Sequence, residues 1–227
     1  MNSLFYPALS RRDLSHYYKS EGVFFATYGC KTNYTNVAQD CLNRCVYCDT
    51  HIDEVREEKF SLDHFRPQNI FKNKFQILCI HPFNLHLSCQ KCNVLKSDDW
   101  KGCIETQDGP SFIAKKGYID RFQVNASEHF KVDNEGKVQS INSDGPAKYM
   151  IGRLLLNRTS RVYTRKLRVV LHKAHLVQRM LVNEKKEIVA AWKRGELKPE
   201  EAMIKMEKLT ALFDRYADLE TVKVLSP

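Results

Sequence analysis

Cys45-Val-Tyr-Cys48 and Cys89-Gln-Lys-Cys92 bracket the stretch that decides the fold, and Asp63-His64, Asn84 and Asn93 stand between and beside them. Two CxxC pairs supply four thiolates at the spacing that holds one tetrahedral zinc ion, a closed site that folds a small module. The enclosed Asp-His and the two asparagines offer oxygen and imidazole donors instead. Those suit a second, hydrated divalent cation with a general base beside it. The expectation is therefore one staple and one reactive centre, interleaved.

Working outward, the cysteines bound the compartment. There are eight, and no short apolar block follows basic residues at the N-terminus, so no secretory signal is expected. Without export, paired CxxC spacing favours metal over disulfides and a cytoplasmic location is the default. Nothing approaches the run of about eighteen apolar residues that a membrane span needs, so no membrane partner is expected. The net charge is +9, and it is unevenly placed: Arg153 to Lys198 holds thirteen Lys or Arg against Glu184, Glu187 and Glu196. A concentrated basic segment attracts phosphate backbones through counterion release. Arg161, Arg165, Lys166 and Arg168 are its candidate nucleic-acid contacts.

The pattern divides into four stretches. Residues 1–38 form an aromatic N-terminal segment, expected to hold a helix around Arg11–Lys19 and a strand around Val23–Thr27, and available as a docking surface. Residues 39–104 hold the cysteines, with strands expected over Lys59–His64 and Phe75–Ile80 and a helix over about Ser88–Ser97. Residues 105–150 read as a short-strand extension, with strands over Tyr118–Val124, His129–Val132 and Lys137–Ile141 between Gly-containing turns. Residues 151–227 form a helical, basic C-terminal region; Leu154-Leu-Leu caps one helix, Gly195 stops a long one running from Val162 to Arg194, and Pro199 opens the last, continuing over Glu200–Asp218.

Leu62-Asp63-His64-Phe65-Arg66-Pro67, then Asn84-Leu85, then Cys92-Asn93-x-x-Lys96-Ser97-Asp98 resembles the HNH endonucleases, in the variant that ends on asparagine. The resemblance implies an α+β fold: a zinc-stapled ββα-metal HNH core with short strands and a helical, basic C-terminal region. It implies that His64 is the general base, that Asp63 and Asn93 hold catalytic Mg2+ or Mn2+, and that Asn84 braces the loop aiming His64. Cys45, Cys48, Cys89 and Cys92 would hold structural zinc, and Arg66 and Lys96 would contact phosphate. The implied activity is hydrolysis of phosphodiester bonds in DNA, or in RNA such as tRNA.

Tyr118-Ile-Asp-Arg-Phe122, His129-Phe130 and Ile151-x-x-Leu154-Leu-Leu-Asn157-Arg158 with Arg165 further resemble the HNH subunits of Septu-type and retron-associated anti-phage systems. That likeness implies control by an ABC/SMC-like ATPase subunit. Two competing readings stand beside it. One is a zinc-binding adaptor with a decayed site. The other rests on Cys41-x-x-x-Cys45-x-x-Cys48, which resembles the cluster motif of radical-SAM enzymes; it leaves Cys89, Cys92 and Asp63-His64 without a role.

Overall fold

The computed structural model describes residues 4–20, 23–24, 30–55 and 57–224. Among these described residues the chain is mixed α+β, with helices and four two-stranded antiparallel sheets. The chain divides into two compact units, Met1–Lys166 and Leu167–Pro227. No described helix is long and apolar enough to cross a membrane.

The first unit is organised around one hairpin and one helix. Strand β3 (Phe60–His64) pairs antiparallel with β4 (Leu85–Cys89), placing Phe60 opposite Cys89 and His64 opposite Leu85. Between them a single helical turn, α2 (Gln68–Phe71), buries Phe71. Helix α3 (Gln90–Lys96) follows β4 without a loop and ends at Ser97, whose φ of 46° no helix continues through. The helix expected from Ser88 thus starts two residues later, because Ser88 and Cys89 are spent on the ladder. The strand expected over Phe75–Ile80 is instead a 3-10 turn, Gln76–Cys79. A short apolar run does not distinguish the two, and here only Leu78 of that turn is buried.

Other elements close over this hairpin. Helix α1 (Lys31–Asp40) is rich in Thr and Asn, poor helix formers, and gave no sequence signal. Burial of Val37 and Ala38 and the Arg12 guanidinium, which donates to Asp40 Oδ1 (2.8 Å), Asn36 and Gln39, hold it in place. The helix expected at Arg11–Lys19 is a single 3-10 turn, Leu14–Tyr17, followed by β1 (Tyr18–Ser20), which pairs with β2 (Val23–Phe24); the rest of the expected strand, 25–27, lies outside the described residues. Tyr118–Val124 forms no strand. The hairpin there is β5 (Phe112–Ile113) with β6 (Lys116–Gly117), and the chain then turns at Asp120, whose carbonyl accepts the N–H groups of Gln123 and Val124. The next hairpin matches its pattern: β7 (Phe130–Val132) and β8 (Val138–Ser140) are joined through Gly136, whose φ of 75° favours glycine.

Helix α4 (Ala147–Arg153) ends at Leu154, and α5 (Thr159–Lys193) ends two residues before Gly195, at φ 75°. The later part of α5 and α6 (Pro199–Val224) form the second unit, where Leu181 and Ile188 of one helix and Ala202 and Leu209 of the other share one apolar cluster. Seven-residue spacing on both helices makes this a continuous seam.

Candidate metal centre and active site

The first cysteine pair sits on a knuckle after α1. Cys45 N–H donates to the Thr50 carbonyl (2.9 Å) and Asp49 N–H to the Cys45 carbonyl (2.9 Å), closing the turn. Asp49 occupies the left-handed region (φ 61°), which aspartate tolerates better than most residues, and its buried carboxylate faces Arg121 at 3.2 Å and Arg44 at 3.6 Å. Val46 N–H donates to the Leu87 carbonyl (3.0 Å), tying the knuckle to β4. The second pair comes from the β4–α3 junction, where Cys89 closes the strand and Cys92 lies in the first helical turn.

The result is a group in which the sulfurs of Cys45, Cys48, Cys89 and Cys92 all lie within 4.8 Å of one another, each fully buried. Burial would raise Cys48, yet hydrogen bonds with the other three thiols and the Arg161 charge hold it well below the ordinary thiol range. Contacts with Cys45 and Cys48 push Cys89 and Cys92 upward. Four thiols this close cannot all ionise unaided, and a divalent cation such as zinc is what lets them do so. The donor set therefore fits a closed tetrahedral metal site. Cys41 stands outside the group: its sulfur accepts the Leu87 N–H (3.4 Å), and burial pushes its thiol up to about 11. The cysteines of the CxxxCxxC motif are thus divided between two environments.

Asp63 and His64 end β3, against the C-terminal turn of α3. The His64 Nε2 lies 2.8 Å from the Cys79 carbonyl oxygen, which can only accept. In the neutral ring the proton therefore sits on Nε2 and the lone pair on Nδ1. Lys96, fully buried, donates to the His64 carbonyl (2.8 Å) and pairs with the Asp63 carboxylate at 3.0 Å. The Tyr47 hydroxyl donates to Asp63 Oδ2 from inside the first knuckle. Burial and the Asp63 charge keep that phenol well above its ordinary range, hence protonated. Asn93 donates its amide N–H to Ser61 Oγ (3.0 Å), so its oxygen is its remaining ligand atom.

Asn84 is the brace. Its Oδ1 accepts the Arg66 N–H (2.8 Å) and its Nδ2 donates to the carbonyls of Leu78 (2.8 Å) and Arg66 (3.1 Å). One side chain thereby fixes both the turn after His64 and the segment that presents the Cys79 carbonyl.

The expected phosphate contacts are placed differently from their reading. Arg66 is buried, donating to the Gly109 carbonyl (2.5 Å) with its guanidinium 5.1 Å from the Trp100 ring centre. Arg161 is 1% exposed and donates to Glu58 and to Cys89 Sγ. Arg165 is equally buried and donates to the carbonyls of Gly136 (2.6 Å) and Leu156 (2.7 Å). Arg168 is buried, and Lys166 pairs with Glu135 at 2.6 Å. A run of like charges looks solvent-facing in sequence, but the first turns of α5 are packed. Lys166 stays exposed beside Glu135, and further exposed cations of this helix follow at Lys173, Arg179, Lys185, Lys186 and Lys193.

Tyr47 and the Cys79 carbonyl are the contributors that residue patterns did not assign. The first is hidden by its position inside a CxxC, and the second is backbone, which no side-chain pattern reveals. Compared with protein-family models, curated proteins and solved structures, the chain matches none of them.

Proposed function

We propose that this chain is a metal-dependent phosphodiesterase of the HNH type that hydrolyses nucleic acid. The single observation that carries the reading is His64, whose Nε2 is committed to a backbone carbonyl so that Nδ1 carries the lone pair. A neutral imidazole held in one tautomer is what a general base working near neutral pH requires. Asp63 and Asn93 would hold Mg2+ or Mn2+ through oxygen donors, the ligand type these hard cations prefer. Asp63 Oδ2 already faces both Tyr47 and Lys96, so the cation would bind at Oδ1, which accepts from Lys96 at 3.3 Å and has a second lone pair. The bound cation supplies Lewis-acid neutralisation of charge on the scissile phosphate and the departing oxygen.

In the reaction, His64 Nδ1 takes a proton from water, and the resulting hydroxide attacks phosphorus. The bond to the departing 3′ oxygen breaks, and that oxygen is reprotonated from solvent. The imidazolium keeps its Nε2–H on the Cys79 carbonyl throughout. The four-cysteine site, the Asn84 brace and the Lys96 contact to the His64 carbonyl hold the strand end in place, so positioning needs no rearrangement at the moment of reaction. The exposed cations of α5 would hold a phosphate backbone, DNA or a structured RNA such as tRNA. The same reading makes the chain the effector of an anti-phage complex, with an ABC/SMC-like ATPase subunit as its control.

The test is Mg2+-dependent cleavage of plasmid DNA and of tRNA by the wild type and by His64→Ala. The substitution is expected to abolish cleavage while leaving folding, zinc content and nucleic-acid binding intact. Cleavage that survives in His64→Ala overturns the mechanism. Binding without cleavage by any form, wild type included, would instead make the chain a zinc-stapled adaptor.

A further inference from the structure

The four-cysteine centre has cationic neighbours that its ligand chemistry alone does not require. Arg158 Nη2 lies 3.6 Å from the sulfur of Cys89 and 3.6 Å from that of Cys92. Arg161 Nη2 lies 3.3 Å from the Cys89 sulfur. Both come from the start of α5 or the residue before it, more than sixty residues along the chain from the sulfurs they touch. Among the described residues, Cys45 and Cys48 have neutral hydrogen-bond partners, the hydroxyls of Ser88 and Thr50 and a neighbouring thiol, and the charge that acts on Cys48 is that of Arg161. The two guanidiniums therefore supply the positive charge at the centre.

Charge accounting explains why two arginines converge there. Four thiolates around one zinc ion carry two net negative charges, and this site is buried. A buried charge without a counter-charge is costly. Arg161 has Glu58 as a second partner. Among the described residues no carboxylate lies within ion-pair distance of Arg158, whose other acceptors are the carbonyls of Leu154 and Leu155 (3.2 Å each). Beside four neutral thiols its charge would be half-buried and unmatched. Beside a zinc tetrathiolate it is compensated, and N–H···S bonds to an anionic sulfur are of the stronger, charge-assisted kind.

We propose that Arg158 and Arg161 form a cationic clasp on the zinc tetrathiolate, so that metal occupancy seats the opening turns of α5, Thr159–Lys166, and those arginines in turn retain the metal. The inference rests on the four-thiolate reading of the site. It is independent of the reading of His64 as a base. The two arginines act on the ligands rather than on the metal, and outer partners of this kind govern how tightly a ligand set holds its ion.

The test uses the full chain purified with its zinc. Release of zinc to a chromophoric chelator is timed for the wild type, Arg158→Gln, Arg161→Gln, Arg161→Lys and, as control, Arg153→Gln, whose residue faces Asp99 instead. Both glutamine variants are expected to release zinc about 10- to 100-fold faster. Arg161→Lys, which keeps the charge, should recover part of the loss, and the Arg153 control should match the wild type. Independently, hydrogen exchange over 159–166 of the wild type should rise when zinc is stripped and fall again on its return; this arm stands even where a variant fails to fold. Unchanged release in both glutamine variants, or unchanged exchange over 159–166 on stripping, overturns the clasp and leaves the metal site intact. A wild type that takes up no zinc overturns the four-thiolate reading, and the clasp with it.

Discussion

Asn84→Ala tests whether the site is positioned by a structural brace. The side chain is 5% exposed and makes three hydrogen bonds, to the Arg66 N–H and to the carbonyls of Leu78 and Arg66. Truncation removes the amide and leaves those backbone groups inside the protein. A buried group left unsatisfied costs about 1–3 kcal/mol. Counting the two 2.8 Å partners in full and the 3.1 Å one lightly, and allowing for partial relaxation, the loss is about 3 kcal/mol. For a unit of this size that lowers the melting temperature by roughly 6–12 °C. Asn84→Asp is a sharper variant: it keeps the acceptor for Arg66 N–H but turns an oxygen toward two carbonyls, so it is expected to be at least as damaging. The assay is urea unfolding, paired with cleavage at a temperature where the variant remains folded. Cleavage should fall with Asn84→Ala even there, because the segment that orients the His64 ring is released. A stability change below about 0.5 kcal/mol would refute the brace, since no relaxation hides three buried hydrogen bonds that well.

Further outcomes follow from neighbouring geometry. Lys96→Met leaves Asp63 buried without its cation, and unfolding should become easier by about 3–5 kcal/mol; an unfolding midpoint equal to wild type would mean that the pair carries no stability. Cys89→Ser should abolish stoichiometric zinc by elemental analysis, whereas Cys41→Ser should retain it, and the reverse result would move the ligand set. Asp99 gives a pH prediction: burial raises its carboxyl, but hydrogen bonds from Tyr149, Tyr118 and Lys101 outweigh it and hold the group low. A depressed folded value means the contribution is complete above the unfolded carboxyl value of about 3.9 and is lost as pH falls through the folded value. The stability gap between wild type and Asp99→Asn should therefore be flat above about pH 5 and close below about pH 4; a gap that widens on acidification would reverse the sign.

Much of the centre was legible from spacing, because ligand pairs and helix punctuation are local. CxxC places two thiols on one turn whatever surrounds it, Gly195 stops a helix through its own backbone freedom, and Asn93 and Lys96 fall on one face of α3 through the helical period. The elements that misread were those whose local preference is weak. The apolar run at 75–80 suits a strand or a turn equally, and the Thr- and Asn-rich stretch at 31–40 became a helix only through Val37, Ala38 and the Arg12 contacts.

The sequence by itself determined which donors exist, four thiols in two pairs and an Asp-His followed by two asparagines, because side-chain chemistry and short-range spacing are properties of the chain. Only the tertiary structure decided how they are used. It brought Cys45 and Cys48 to Cys89 and Cys92 and left Cys41 aside, set the His64 tautomer through a backbone carbonyl fifteen residues away, and turned Arg161 and Arg165 inward from a helix whose charge looked solvent-facing. Each of these outcomes depends on contacts between segments distant along the chain. Burial and partner geometry arise only when those segments pack, and they decide which donors come together and what each one faces.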